Sequence, residues 1–141
     1  MALQIHPQAG AVLVCDFEPG FRAPEMVKRR PVIVVSPRLR RRDGLCTVVP
    51  LSTTPPDEEL AYHHRIEFTP PLPAPYDAPA HWVKADMIYT VGFHRLYPLR
   101  RGKTEIGRRQ YDNRVIAAAE LAAIRRCILH ALGMQALTEG R

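Results

Sequence analysis

Residues Pro24 to Ser36 read P-E-M-V-K-R-R-P-V-I-V-V-S. Three cations, Lys28, Arg29 and Arg30, stand directly before Pro31, and an unbroken apolar run, Val32-Ile33-Val34-Val35, follows it. A β-branched run of that length without polar alternation reads as a strand buried on both faces. Pro31 has no N–H for a ladder, so its expected place is the first residue of that strand. Arg30 then stands where an exposed, mobile loop enters a rigid core strand, placed to grip an anion. Glu25 lies five residues upstream in the same loop.

Working outward, Ala11 to Phe17 (A-V-L-V-C-D-F) reads as the first strand, closed by Glu18-Pro19-Gly20. Pro37 to Gly44 is a basic hairpin connection carrying Arg38, Arg40, Arg41 and Arg42, with Asp43-Gly44 as its turn signal. Leu45 to Leu51 is the third strand, leaving the sheet at Ser52-Thr53-Thr54 before Pro55-Pro56. Asp57 to Leu60 suits one helical turn, and His64 to Phe68 alternates as a half-exposed strand does. Thr69 to Ala80 holds five prolines in twelve residues and reads as a stiff surface connector. His81 to Thr90 resumes as strand, and Val91 to Tyr97 continues it or re-enters the sheet. Arg100 to Asn113 is basic and has no assignable period.

Ala117 to Leu132 predicts a helix with an apolar stripe of Leu121, Ile124, Ile128 and Leu132, ending at Gly133. Glu120 lies in its first half and Arg125, Arg126 and His130 in its second, as the helix dipole favours. No internal repeat is present. These elements predict a mainly β chain, a small antiparallel barrel flanked by one C-terminal helix.

The 141 residues fit a single domain, the barrel over about 10–97 and the helix over about 117–132. With 46% hydrophobic residues the chain is neither disordered nor membrane-spanning, and no apolar run approaches the roughly 20 residues of a membrane helix. Met1 to His6 lacks the features of a signal peptide, so the expected location is the cytoplasm. Cys15, Cys46 and Cys127 form no metal or redox spacing and are expected as buried, reduced thiols. The net charge of +6 favours a polyanionic partner, nucleic acid or an acidic protein.

No P-loop, nucleophile elbow, H-E-x-x-H or dinucleotide fingerprint occurs. His63 and His64 are adjacent on a strand, point to opposite faces and make a poor chelating pair, so neither metal nor cofactor is expected. What remains is a set of groups at strand ends: Arg30, then Ser52 and Thr53, then Lys84 and Asp86, which two-residue spacing on one strand sets on one face. Each has a plain alternative: a solvated basic turn, a strand-end hydroxyl, a surface ion pair contributing about 0–1 kcal/mol.

E-x-x-x-x-R-P followed by V-I-V-V-S-P, then V-V-P-L-S-T and later K-A-D-M-I-Y-T-V, resembles the MazF/PemK toxins from about Gly10 to Leu96. The resemblance implies an SH3-like barrel, a homodimer, and a metal-independent endoribonuclease that an acidic, partly disordered antitoxin protein neutralises. It also implies that Arg30 is the principal catalytic cation and that a hydroxyl at the end of the third strand assists it. Ser52 matches that position, with Thr53 a rival. The PemK branch's later arginine and aspartate fall on Lys84 and Asp86, and its loop histidine falls on Pro24.

RNA supplies its own nucleophile, the 2′-hydroxyl. The protein must take up its proton, stabilise the charged phosphorane and protonate the leaving 5′-oxygen. Arg30 and Ser52 suit the phosphate, Glu25 or Asp86 is the candidate base, and Arg30 or Lys84 the complementary cation. Unpaired RNA is gripped by stacking and a basic groove. Phe21, Trp82 and Tyr89 are candidate platforms, although core packing is the first reading of Trp82; Lys28, Arg29, Arg40 and Arg41 are candidate phosphate contacts. The rival readings are a non-nuclease module on the same barrel, such as a gyrase inhibitor of the CcdB branch, and a non-catalytic nucleic-acid-binding barrel.

Overall fold

Three strands that are apolar on both faces set the architecture. They are β1 (Val12–Asp16), β2 (Arg29–Val34) and β3 (Leu45–Ser52) in a computed structural model that describes residues 3–18 and 20–138. Pro19, expected in the turn that closes β1, lies outside the described residues, as do Met1 and Ala2. One set of alternating side chains, including Val12, Val14, Ile33, Val35, Val49 and Leu51, packs into a cluster with Ile124, Cys127 and Ile128 of the helix. The other set, including Leu13, Cys15, Val32, Val34, Cys46 and Val48, packs into a second cluster with Phe17, Met26, Val91 and Leu96. Ile33 and its neighbours Val32 and Val34 have no exposed surface. Each such side chain contributes about 1.5–3 kcal/mol on burial.

The remaining strands are β4 (His63–Glu67), β5 (Ala80–Lys84), β6 (Tyr89–Gly92), β7 (Leu96–Lys103) and β8 (Arg109–Asp112). All described pairings are antiparallel, in the order β4-β5-β3-β2-β1-β7-β8, with β6 also on β3. No described ladder joins β8 back to β4, so the barrel-like sheet stays open. The mainly β, SH3-like fold with one C-terminal helix matches the sequence expectation. No helix among the described residues is long and apolar enough to cross a membrane.

Several expectations need correction. Pro31 is the third residue of β2 and pairs with Val14. The Val35 N–H donates to Thr47 O of β3 while the Val34 N–H donates to Ala11 O. By alternation the missing N–H of Pro31 faces β3, where the ladder begins only at Val32↔Pro50. Asp57 to Leu60 is irregular and forms no helical turn. His81 to Thr90 is two strands: between Leu51↔Val83 and Val48↔Tyr89, β3 advances three residues and the β5–β6 line six. The extra three loop out, and the Met87 N–H donates to Lys84 O at 3.0 Å to close the turn. Arg100 to Asn113, unassigned above, is most of the β7–β8 hairpin.

Helix α1 spans Ala118–Ala131. Ile124 and Ile128 are buried as expected, but Cys127 completes the stripe and Leu132 is 58% exposed. Leu132 sits past the last helical turn, where the chain reverses. Gly133 takes φ +73°, its N–H donates to His130 O and the Met134 N–H to Leu129 O, so two terminal carbonyls are satisfied. His64 Nε2 meets Glu120 Oε2 at 2.7 Å and Arg125 donates to Val35 O at 2.9 Å, pinning the helix to β4 and to the end of β2.

Candidate active site

Arg30 enters the sheet opposite Cys15 of β1, and its half-buried side chain lies on the face of the second cluster. The backbone immediately before it is unusual: Lys28 has φ +70°, and its carbonyl accepts the Phe17 N–H at 3.0 Å. A side chain held in the left-handed region needs surrounding structure to enforce it. Arg30 Nε donates to the Val27 carbonyl at 3.3 Å, and its two terminal nitrogens have no partner among the described residues. A guanidinium steadied at one end, with its fork open, is suited to bind an anion.

Ser52 ends β3. The β2–β3 ladder ends at Val32↔Pro50, and Arg30 and Ser52 lie two residues beyond it on their strands, with their side chains on a shared face by alternation. Ser52 Oγ accepts the Thr54 N–H at 3.1 Å, while its own proton has no acceptor among the described residues. Thr53 is exposed in the bend beyond the strand. On the other side of β3, Ser52 pairs with Trp82, and Trp82 pairs with Arg65 of β4. Trp82 is half-buried and belongs to neither core cluster, which leaves part of its ring open to solvent. Its side chain alternates with His81 and Val83, which do point into the protein. Lys84, two residues on, shares the Trp82 face and is half-buried.

Asp86 does not share that strand. It lies exposed in the looped-out turn, so the period-two argument that joined it to Lys84 fails. Glu25 is exposed, and its Oε1 accepts the Arg22 N–H at 3.2 Å within its own turn. Among the described residues no hydrogen bond or ion pair links either carboxylate to Arg30 or Ser52.

Phe21 and Tyr89 form one cluster with Phe17, at centroid separations of 5.3–5.4 Å. Tyr89 OH also accepts the Met26 N–H at 2.9 Å, so these rings fasten the loop that carries Glu25 and Lys28. Arg29 lies 4.8 Å over the Tyr97 ring, and Arg40 and Arg41 are exposed in the β2–β3 connection. Arg95 was not singled out by sequence: it donates to Asp16 O at 3.2 Å and stacks 4.8 Å over Phe21. Only tertiary packing reveals that role, because nothing in V-G-F-H-R-L signals a distant partner.

A cleft of about 450 Å3 lies elsewhere, lined by Phe68, Arg101, Asp112, Arg114 and Glu120 and reached by neither Arg30 nor Ser52. Two arginines beside Asp112, Arg114 foremost, hold its carboxyl below the usual carboxylate range. Cys15, Cys46 and Cys127 are free and buried; burial pushes the first two thiols up to about 12 and about 11. His63 Nδ1 accepts the Leu60 N–H and His64 meets Glu120, so both histidines serve the framework. Among the described residues no group of three His, Cys, Asp or Glu is arranged to hold a metal.

The family model for the PemK-like, MazF-like toxins of type II toxin–antitoxin systems matches residues 8–132. Full-length relatives include YifN of Escherichia coli K12, 27% identical over 94% of this chain and 95% of that one. An uncharacterised Haemophilus influenzae protein is 28% identical over 99% of each. Among solved structures, a mycobacterial endoribonuclease in complex with its cognate antitoxin aligns with a TM-score of 0.60 at 23% identity, covering 91% of this chain and 96% of that one. MazF from Deinococcus radiodurans aligns with a TM-score of 0.59 at 22% identity, covering 93% and 100%. The family match spans both the strand-entry arginine and the strand-end hydroxyl, and the chain belongs to the PemK-like, MazF-like toxins of type II toxin–antitoxin systems.

Proposed function

We propose that the protein is a metal-independent endoribonuclease that cleaves single-stranded RNA by attack of the 2′-hydroxyl, leaving a 2′,3′-cyclic phosphate. The observation that carries this reading is Arg30, half-buried, with the open end of its fork unpaired among the described residues, two residues beyond a β2–β3 ladder that ends as far from Ser52 along β3. Arg30 binds the non-bridging oxygens of the scissile phosphate, and the Ser52 hydroxyl donates to the same centre. Lys84, on the face of Trp82, is the second cation. Glu25 is the better placed candidate base in sequence, being in the loop that leads into Arg30, while Asp86 would have to reach in from a turn outside the ladder. Trp82 offers a base-stacking surface beside the hydroxyl.

Family membership and the likeness to endoribonucleases of the same fold support this reading. The expected setting is the cytoplasm, as a homodimer neutralised by an acidic antitoxin; one structural neighbour was solved with its antitoxin. The test is incubation of purified protein with a long RNA in EDTA, followed by analysis of the product ends. Cyclic phosphate ends are expected, and Arg30→Ala should slow cleavage by about 100-fold or more, the scale of one lost donor to a developing charge. Cleavage by that variant within about threefold of wild type would remove Arg30 from the chemistry.

A further inference from the structure

The β7–β8 hairpin and the two residues after it are strongly cationic, with Arg100, Arg101, Lys103, Arg108, Arg109 and Arg114 against only Glu105 and Asp112. These cations are sorted by face. Leu99 pairs with Asp112, and a bulge between Arg100 and Gly102 lets Arg101 turn to Asp112 as well. Arg114 chelates Asp112, donates to the carbonyls of Pro70 and Pro71, and lies 5.6 Å over Phe68. Asp112 is 8% exposed, so this face is a buried fastening that holds the hairpin root to the proline-rich loop.

The opposite face is free. Arg100 pairs with Tyr111 and Lys103 with Arg109, and Arg109 and Tyr111 are two residues apart on β8, so all four side chains share one side. All four are exposed, and none has a hydrogen-bond, ion-pair or ring partner among the described residues. Alternate residues on a strand lie about 7 Å apart, a repeat comparable to consecutive phosphates of an extended strand. A ring between cations is the arrangement that holds unpaired nucleic acid, base on the aromatic and backbone on the charges. Arg100 also lines a cleft of about 160 Å3 together with Arg29, the neighbour of Arg30, so the hairpin leads toward the candidate site.

We propose that Arg100, Lys103, Arg109 and Tyr111 form a second binding face for single-stranded RNA, which holds a substrate strand outside the cleavage point. The nuclease reading supplies only the identity of the strand; the face stands on the hairpin's own geometry. The test uses 2′-O-methyl RNA, which cannot be cut by 2′-hydroxyl attack, so binding is read even by a protein that cleaves nothing. For a strand of about twenty nucleotides, Arg100→Gln/Lys103→Gln/Arg109→Gln should bind about tenfold or more weakly, with its salt slope reduced by about 2. Tyr111→Ala should weaken binding about fivefold or more while Tyr111→Phe retains it. Cleavage of an RNA of about six nucleotides, too short to span both regions, should be unchanged in the triple variant, which separates this face from Arg30. Wild-type circular dichroism checks that the variants fold. Affinity within about twofold of wild type for the long strand would overturn the proposal. So would an equal loss for a duplex of the same sequence, or a loss confined to polyglutamate, which would reassign the face to an acidic protein.

Discussion

Trp82 stands directly across from Ser52 in the β3–β5 ladder, half-buried and outside both core clusters. A large ring in that position presents apolar area to solvent beside a hydroxyl whose proton is free. Its truncation should therefore affect substrate far more than folding. Trp82→Ala is expected to raise KM for RNA about fivefold or more, since one base–aromatic stack contributes about 1–3 kcal/mol. Thermal unfolding should shift by no more than a few degrees. A large loss of stability with unchanged KM would return Trp82 to a packing role.

Ser52 and Thr53 are adjacent, but only Ser52 is in the strand that faces Arg30. Ser52→Ala should lower kcat by about 100-fold on the scale of a single lost hydrogen-bond donor, whereas Thr53→Ala should stay within about threefold. Ser52→Thr should keep most of the rate. Single-turnover cleavage of a short RNA distinguishes the three, and the reverse ranking would give the role to Thr53.

Asp112 holds two arginines from a buried position. Asp112→Asn retains the shape but leaves those cations less compensated, and is expected to cost about 2–3 kcal/mol of stability in urea unfolding. The depressed carboxyl also sets the direction of the pH effect. Its folded pKa lies below the usual aspartate value of 3.8, so its stabilisation is present above that value and is lost as pH falls below it. Wild type should lose stability through that acid window more steeply than Asp112→Asn.

His81 is 1% exposed; its Nε2 meets Tyr76 O at 3.2 Å and its Nδ1 has no hydrogen-bond partner among the described residues. Burial lowers its pKa below the usual imidazole value of 6.5, so the unfolded chain binds the proton more readily than the folded one. Stability should therefore be full above that value and fall as pH drops below it. The slope should be shallower in His81→Phe, which packs against Phe68 without a titrating nitrogen. Identical slopes for the two proteins over pH 5–7, measured by thermal unfolding, would discount a buried neutral imidazole.

The parts of the fold that were readable from sequence are those where one physical signal dominates. Val32 to Val35 and Val48-Val49 carry apolar side chains on both sides, and only a strand between two cores can bury them all. Helix α1 announces itself by period, dipole charge and Gly133. The break at Ala85 to Ile88 was not readable, because A-D-M-I has neither glycine nor proline and the turn is enforced by β3 pairing on both sides of it. That hidden turn is why Asp86 was misplaced. The β7–β8 hairpin was silent for another reason: its face toward solvent is cationic and its inner face is held by Asp112, so no hydrophobic alternation marks it. Arg30 and Ser52 were legible only as two strand ends; the register that points one toward the other, which sequence does not carry, ends at Val32↔Pro50, two residues short of both.

An open sheet keeps two rims where another chain's backbone could dock. At β4, helix α1 lies alongside through His64 and Glu120, which shields that rim. Beyond β8 no strand pairs among the described residues, and Arg109 sits on that rim beside Gln110 and the hairpin's other cations. An identical strand approaching to extend the sheet would bring like charge against like, a barrier to runaway polymerisation that closure would otherwise have to provide.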